Sequence, residues 1–269
     1  MTQSNSTSVP SAREIVKRKW FSDRTGNEPS ARRFVRMLLA LVYPMRCLAT
    51  GRALPLDSSV ALSEDGFDSL PWIDGAFCQR CGAPSAPGLG EQDRCASCRD
   101  LTLVFRRAIS VWRYEPPISD VIKALKFKGR LSAINVLAVP LAERIRAVGL
   151  DATIDVVCPV PVRPASLKSR GFNPALDIAR VVARHLNKPF LPNLLTKTRN
   201  TAPQATLPRP KRISNLKDAF VAETAASGRR ILTVDDVMTT GATLTECSRA
   251  LLAAGAKSVF VATAARTEA

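Results

Sequence analysis

Near its C-terminal end the chain reads Ile231-Leu232-Thr233-Val234-Asp235-Asp236-Val237-Met238-Thr239-Thr240-Gly241-Ala242-Thr243, and no other stretch limits the fold as much. An apolar run of strand character ends in two adjacent carboxylates. A short turn of Thr and Gly then opens a helix sustained by the apolar positions of residues 244–254, with Gly255 as its stop. A strand feeding a helix through so short a turn brings backbone N–H groups and the hydroxyls of Thr239, Thr240 and Thr243 into one small volume. That volume suits a phosphate. Carboxylates beside a phosphate need something neutral or cationic between them, such as the hydroxyls of a pentose or a hydrated Mg2+. A sugar phosphate satisfies both ends. A phospho-accepting receiver domain would place its acidic pair near the domain start and its phosphorylated Asp on a later strand. A Walker loop needs Gly-Lys-Ser/Thr, which is absent.

The flanking periodicities place this unit in an α/β fold. Ile109 to Tyr114 alternates as a strand, and Ile118, Val121, Ile122 and Leu125 follow helical spacing behind Pro116 and Pro117. One further helical stripe runs from Leu131 through Ile134, Leu137, Leu141 and Ile145 to Val148, ending near Gly149. Ile154 to Cys158 reads as a buried strand. Asn173 and Pro174 read as the N-cap and first residue of a helix carrying Leu176, Ile178, Ala179, Val182 and Leu186. Strands over Arg230–Val234 and Ser258–Ala262 complete the alternation. The expected architecture is a mostly parallel sheet flanked by helices, with ligands beyond the carboxyl ends of the strands. Residues 195–217 contain Lys197, Arg199, Arg209, Lys211, Arg212 and Lys217 with no acidic residue, and are expected to form a mobile, anion-seeking loop.

Cys78, Cys81, Cys95 and Cys98 form two C-x-x-C pairs separated by a 13-residue spacer. Each pair can present two thiolates to one ion, and four thiolates close the tetrahedron of a structural Zn2+ site, leaving no position for water. The segment from Cys47 to Asp100 is rich in Gly, Pro, Ser and Asp, too poor in apolar residues to fold without such a staple. The other cysteines, Cys47, Cys158 and Cys247, are expected to pack as small hydrophobes. The single histidine, His185, closes a helical run and is expected on the surface or at a cap. Residues 1–35 are polar and basic without a sustained apolar period and are expected to form a flexible arm. Among 269 residues, Lys and Arg number 39 against 23 Asp and Glu, a formal charge of +16, which favours anionic partners. No apolar run approaches the ~20 residues of a membrane span, and no secretory signal is evident, so a cytoplasmic protein is expected.

With these residues in place, the chain resembles two related groups. The 13-residue stretch is similar to the phosphoribosyl pyrophosphate (PRPP) signature of type I phosphoribosyltransferases. The remainder resembles the ComF family of competence-associated proteins, through Asp155–Pro161, Lys168-Ser169-Arg170-Gly171-Phe172-Asn173, Thr201–Gln204, Arg212–Phe220 and Leu125-Lys126-Phe127-Lys128. The likeness covers about residues 40–265. It implies a helix and a four-cysteine zinc module over 36–104 and a type I phosphoribosyltransferase-like domain over 105–269. A first cysteine set often present in such relatives is reduced here to Cys47-Leu48-Ala49-Thr50, so one zinc is expected.

The resemblance further implies that a base nitrogen attacks the anomeric carbon of PRPP as Mg-pyrophosphate leaves, with no nucleophilic side chain. Asp235 and Asp236 would hold the ribose hydroxyls at the reacting sugar, and Thr239, Thr240, Gly241, Ala242 and Thr243 would cradle the 5′-phosphate. Pro159, Val160 and Pro161 with Lys168 and Arg170 would face pyrophosphate, and the basic segment including Arg199 would close over it. An alternative implied by the same kinship is a non-catalytic factor that binds single-stranded DNA or a competence helicase.

Overall fold

The structure, a computed structural model, describes residues 11–22, 38, 44–85, 94–99, 102–162, 167, 171–198 and 218–267. Four parallel strands form its centre: β1 (Ala108–Arg113), β2 (Val156–Pro159), β5 (Arg230–Met238) and β6 (Ser258–Arg266), in the order β1-β6-β5-β2. Between β2 and β5 in sequence, β3 (Leu195–Lys197) and β4 (Phe220–Ala222) pair antiparallel as a separate ribbon. Parallel strands need crossover connections, and helices supply them: α4 (Ile118–Lys128), α5 (Ala133–Ala147), α6 (Pro174–Leu186) and α7 (Ala242–Ala253). Among the described residues, the short helices α1 (Ala12–Lys17), α2 (Glu64–Asp68) and α3 (Ala96–Arg99) lie ahead of the sheet.

Successive strand residues point to opposite faces, and both faces are covered. Ile109, Val157, Leu232, Val234, Phe260 and Ala262 belong to one core with the buried residues of α4, α5 and α6. Val156, Cys158, Ile231, Val259 and Val261 belong to the other, with α7 and the β3–β4 ribbon. Every residue of β6 is buried, as befits an interior strand of a parallel sheet. The helix caps are those the sequence suggests: the Asn173 side chain accepts from the Ala175 amide ahead of Pro174.

The cysteine-bearing segment shares these two cores. Residues 44–73 join the first, where Trp72 bridges Trp112 and Ile73 N–H donates to the Val111 carbonyl at the free edge of β1. Cys78, Cys81, Cys98, Leu103 and Phe105 join the second. The chain therefore passes round the β1 edge and closes it.

Two expectations are corrected. Residues 11–22, expected within a flexible arm, form α1 and a following π-helical turn, Arg18–Ser22. A capping box between Ser11 and Glu14 starts the helix. Val16 is fully buried, Trp20 and Phe21 meet the Phe67 ring edge-on, and Lys17 pairs with Asp68 at 2.7 Å. The rest of the expected arm, residues 1–10 and 23–35, lies outside the described residues. The expected loop over 195–217 begins instead as strand β3, while residues 199–217 lie outside the described residues. No described helix is long and apolar enough to cross a membrane.

Candidate ligand site and metal cluster

Strand β5 runs past the two carboxylates rather than ending at them: Asp235 pairs in register with Thr263 and Met238 with Arg266. The chain turns at Thr239–Gly241 into α7, with Gly241 at the N-cap in the left-handed region, φ 77°. A cavity of about 480 Å3 opens at this carboxyl edge of the sheet, of the size small-molecule sites have. Asp235, Asp236 and all five residues Thr239–Thr243 line it. The acid pair and the hydroxyl-rich turn thus share one volume, as the sequence suggests. Thr240 Oγ1 accepts from the Ala242 amide at 3.4 Å and shapes the turn.

The opposite wall comes from β2 and α6. Val160 lines the cavity; its N–H donates to the Val234 carbonyl at 2.9 Å and its own carbonyl accepts from Asn173 Nδ2 at 3.1 Å. Pro159 and Pro161 flank it in the chain but do not line the cavity. Val162, Asn173 and Pro174 do. Lys168, Arg170 and Arg199 lie outside the described residues. His185 sits at the far end of α6, roughly 16 Å along the axis from Pro174, with Nδ1 2.9 Å from the Val181 carbonyl.

One residue not expected at the site pairs with its acid doublet. Lys126, in the last turn of α4, reaches into the cavity and places Nζ 2.8 Å from Asp236 Oδ1. Burial works against its charged form, but the Asp236 carboxylate outweighs this and raises its pKa. Asp236 is 7% exposed, while Asp235 is half-buried. Burial and the adjacent Asp236 charge push the Asp235 carboxyl up to about 7, against the opposing field of Lys126. Asp235 also accepts the Asp236 amide at 2.9 Å. The sequence signal for Lys126 is weak: a lysine after the buried Leu125 at the end of the first crossover helix, where the chain regains the carboxyl edge.

The second constellation is the set of four cysteines. Their sulfur atoms all lie within 4.8 Å of one another, with Cys78–Cys98 and Cys81–Cys95 each at 3.6 Å. A tetrahedron of thiolates at about 2.3 Å from an ion has edges of about 3.8 Å, so the cluster fits a tetrahedral metal ion. Burial and the neighbouring Cys81 thiolate push Cys98 well above the usual thiol range, and a cation among the four offsets that penalty. Burial also resists ionisation of Cys78, yet amide donors from Cys81, Cys95 and Arg80 bring it down to about 7.

Cys158 and Cys247 are buried as small hydrophobes, but Cys47 is more than that. It accepts from Ser63 N–H and Oγ at 3.4 and 3.3 Å. Burial raises its pKa, and the donors of Ser63 and Thr50 outweigh burial and lower it to about 7. Where a second cysteine would complete a C-x-x-C pair, Thr50 supplies hydrogen bonds.

The cysteine cluster and the Thr239–Thr243 turn are neighbours. A Cβ on Gly241 would stand 3.1 Å from Met238 Cε and 3.3 Å from Leu103 Cδ2, with Phe105 behind. Leu103 follows the last knuckle, and its carbonyl accepts from Arg80, between the first two cysteines. The buried guanidinium of Arg266, at the end of β6, donates to the Cys81 carbonyl. Gly241→Ala combines an unfavourable φ with this contact and is expected to cost about 1–2 kcal/mol, read as a fall in Tm.

Comparison with known proteins agrees with this fold. The phosphoribosyl transferase domain family matches residues 167–269. The DNA utilization protein YhgH of Escherichia coli (strain K12) is 34% identical over 200 residues, which cover 72% of this chain and 86% of that protein. Competence protein F of Haemophilus influenzae is 29% identical over 194 residues, covering 69% of this chain and 82% of that one. Competence protein ComFC of Bacillus subtilis is 28% identical over 195 residues, 69% and 75% respectively.

Proposed function

The chain belongs to the ComF family of competence and DNA utilization proteins, with a phosphoribosyl transferase domain at its C-terminal end, and from this we propose that it binds PRPP with Mg2+ and transfers the phosphoribosyl group to a nitrogen base. The observation that carries the reading is the convergence of Asp235, Asp236 and the Thr239–Thr243 turn on one cavity at the carboxyl edge of a parallel sheet. The turn and the amino end of α7 receive the 5′-phosphate, and the two carboxylates accept the ribose hydroxyls. This grip fixes the anomeric carbon against the Val160 wall. As the bond from C1 to the pyrophosphate oxygen breaks and the bond from C1 to the base nitrogen forms, positive charge develops on the ring. The buried Asp236 and the half-buried Asp235 stabilise that charge through the ring hydroxyls they hold. Mg2+ held by the diphosphate would supply the charge that neutralises the leaving group. Lys168, Arg170 and Arg199 are proposed to add positive charge on the pyrophosphate side.

In the Cys78–Cys98 cluster we assign Zn2+, on the strength of its all-thiolate donor set. Its role is structural: it ties the segment bearing Leu103 and Phe105 beneath the phosphate turn. Elemental analysis should return one zinc per chain.

Isothermal titration of the zinc-loaded protein with PRPP and Mg2+ tests the proposal. Saturable binding at one site per chain is expected, with ribose 5-phosphate binding more weakly; absence of heat with PRPP at low millimolar concentration contradicts it. The formal charge of +16 and the names of the relatives favour a second property, contact with single-stranded DNA or a competence helicase, within a cytoplasmic DNA-uptake role. Oligonucleotide affinity falling steeply with salt would support this, since phosphate contacts release counterions; no binding at low salt would remove DNA from the account.

A further inference from the structure

We propose that Lys126 is a built-in counter-ion that occupies the divalent-cation position of the acid pair in the free protein, so that the site admits Mg2+ only together with a sugar diphosphate. Two adjacent carboxylates facing one cavity would, if bare, attract a hard divalent ion from solution. Here they are not bare. The Lys126 ammonium stands 2.8 Å from Asp236 Oδ1, with the Lys126 side chain 23% and the Asp236 side chain 9% exposed. Water and salt screen so enclosed a pair far less than a surface one. The same ammonium acts on Asp235 as well, and Lys197 adds positive field there. Lys126 forms its ion pair with Asp236.

Lys126 is also able to withdraw. It lies in the last turn of α4, which Gly129 ends in the left-handed conformation, φ 61°, and the corner at Phe127–Leu131 is exposed. Its stem is unbranched and four carbons long, so the ammonium can leave Asp236 for a ligand oxyanion without moving the helix. This exchange keeps every charge partnered. In the free state Lys126 neutralises Asp236. In the bound state the ammonium passes to a phosphate oxygen, Asp236 turns to a ribose hydroxyl, and the divalent ion enters already held by the diphosphate. A free divalent ion brings no oxyanion to receive Lys126, and would have to displace a cation from its carboxylate without offering it another.

Only the identity of the sugar diphosphate rests on the function proposed above; the exclusion of free divalent ions does not. The test therefore uses Mn2+ alone, titrated into the zinc-loaded full chain and followed by the electron paramagnetic resonance signal of free Mn2+. Wild type and Lys126→Arg are expected to bind none up to ~1 mM, the weak end of carboxylate sites for divalent ions. Lys126→Met and Lys126→Gln are expected to bind one Mn2+ at least ~10-fold more tightly, and adding Asp235→Ala with Asp236→Ala should remove it. Circular dichroism establishes that each variant is folded, and the Gln variant serves if the Met variant is not. Stoichiometric Mn2+ binding by wild type, none by either neutral variant, or binding that survives loss of both aspartates would overturn the proposal. PRPP titration of the same proteins is read separately: if the Mn2+ results are as expected and wild type takes up no PRPP, the functional reading fails and the role of Lys126 stands.

Discussion

Replacing both Asp235 and Asp236 by Ala is expected to lower PRPP affinity by at least ~100-fold while leaving the fold intact. Hydrogen bonds to a charged acceptor contribute about 1.5–3 kcal/mol each, so the loss of two reaches about 3 kcal/mol or more. The fold should survive because neither carboxylate is needed for the β5 ladder, whose backbone pairs with β6 on either side of them. One consequence is separable from binding. The Asp235 carboxyl is held up near 7 by burial and by Asp236, well above its value in an unfolded chain, about 3.9. Its favourable contribution to stability is therefore fully present below about pH 4 and is lost as pH rises through about 7. Asp235→Asn should raise Tm at about pH 8 relative to wild type even as it abolishes ligand binding. Burial and the Asp236 charge disfavour the ionised form against the opposing field of Lys126 and Lys197, and the ionised form is the one that accepts ribose hydroxyls. Affinity for PRPP should accordingly rise with pH through the same range. A double variant that binds as wild type does, measured by titration calorimetry, contradicts the assignment of the acid pair.

Removing the metal should act at two distances. Cys98→Ser leaves three thiols and a hydroxyl around a tetrahedral position, and a structural thiolate site supplies folding free energy directly, about 10–16 kcal/mol in small zinc peptides. Even partial loss should lower Tm on the order of 10 °C or more in a chain of this size. The second effect is on the ligand. Leu103 and Phe105 support Gly241, and Arg266 ties Cys81 to the end of β6. Whatever fraction of the protein stays folded without metal should therefore bind PRPP at least ~10-fold more weakly. Differential scanning calorimetry, zinc analysis and PRPP titration on Cys98→Ser check both. Unchanged Tm and affinity in a zinc-free variant would show that the cluster is an isolated appendage.

Much of the central fold was legible because its elements are locally consistent. The parallel sheet announces itself in short apolar runs separated by helical stripes, and Asn173-Pro174 and Gly255 mark real helix ends. The acid pair and the Thr/Gly turn are adjacent in sequence, so their meeting needed only a strand, a turn and a helix. What escaped depends on distant partners. Strand β5 continues through Asp235 and Asp236 because its ladder with β6 holds the backbone there, and carboxylates do not read as strand. Residues 11–22 read as an arm because Lys17, Arg18 and Lys19 mask a short helical segment whose apolar residues, buried Val16 and partly buried Trp20 and Phe21, pack against the first core, the two rings on Phe67. The Ser11 to Glu14 capping box was the available signal. The β3–β4 ribbon pairs Leu195 with Ala222, a separation at which no local pattern operates. Lys126 belongs to the run Leu125-Lys126-Phe127-Lys128, but its role follows only from where the end of α4 meets the cavity.

The central claim is that a pentose phosphate seats where the acid pair meets the Thr239–Thr243 turn, and a crystal structure of the zinc-loaded protein soaked with PRPP and Mg2+ tests it most directly. The account predicts the ribose hydroxyls on Asp235 and Asp236, the 5′-phosphate on the amides of the turn, and Lys126 moved from Asp236 to a ligand oxyanion. Ligand bound elsewhere on the protein, with Asp236 still closed on Lys126 and the cavity free of sugar, would contradict it.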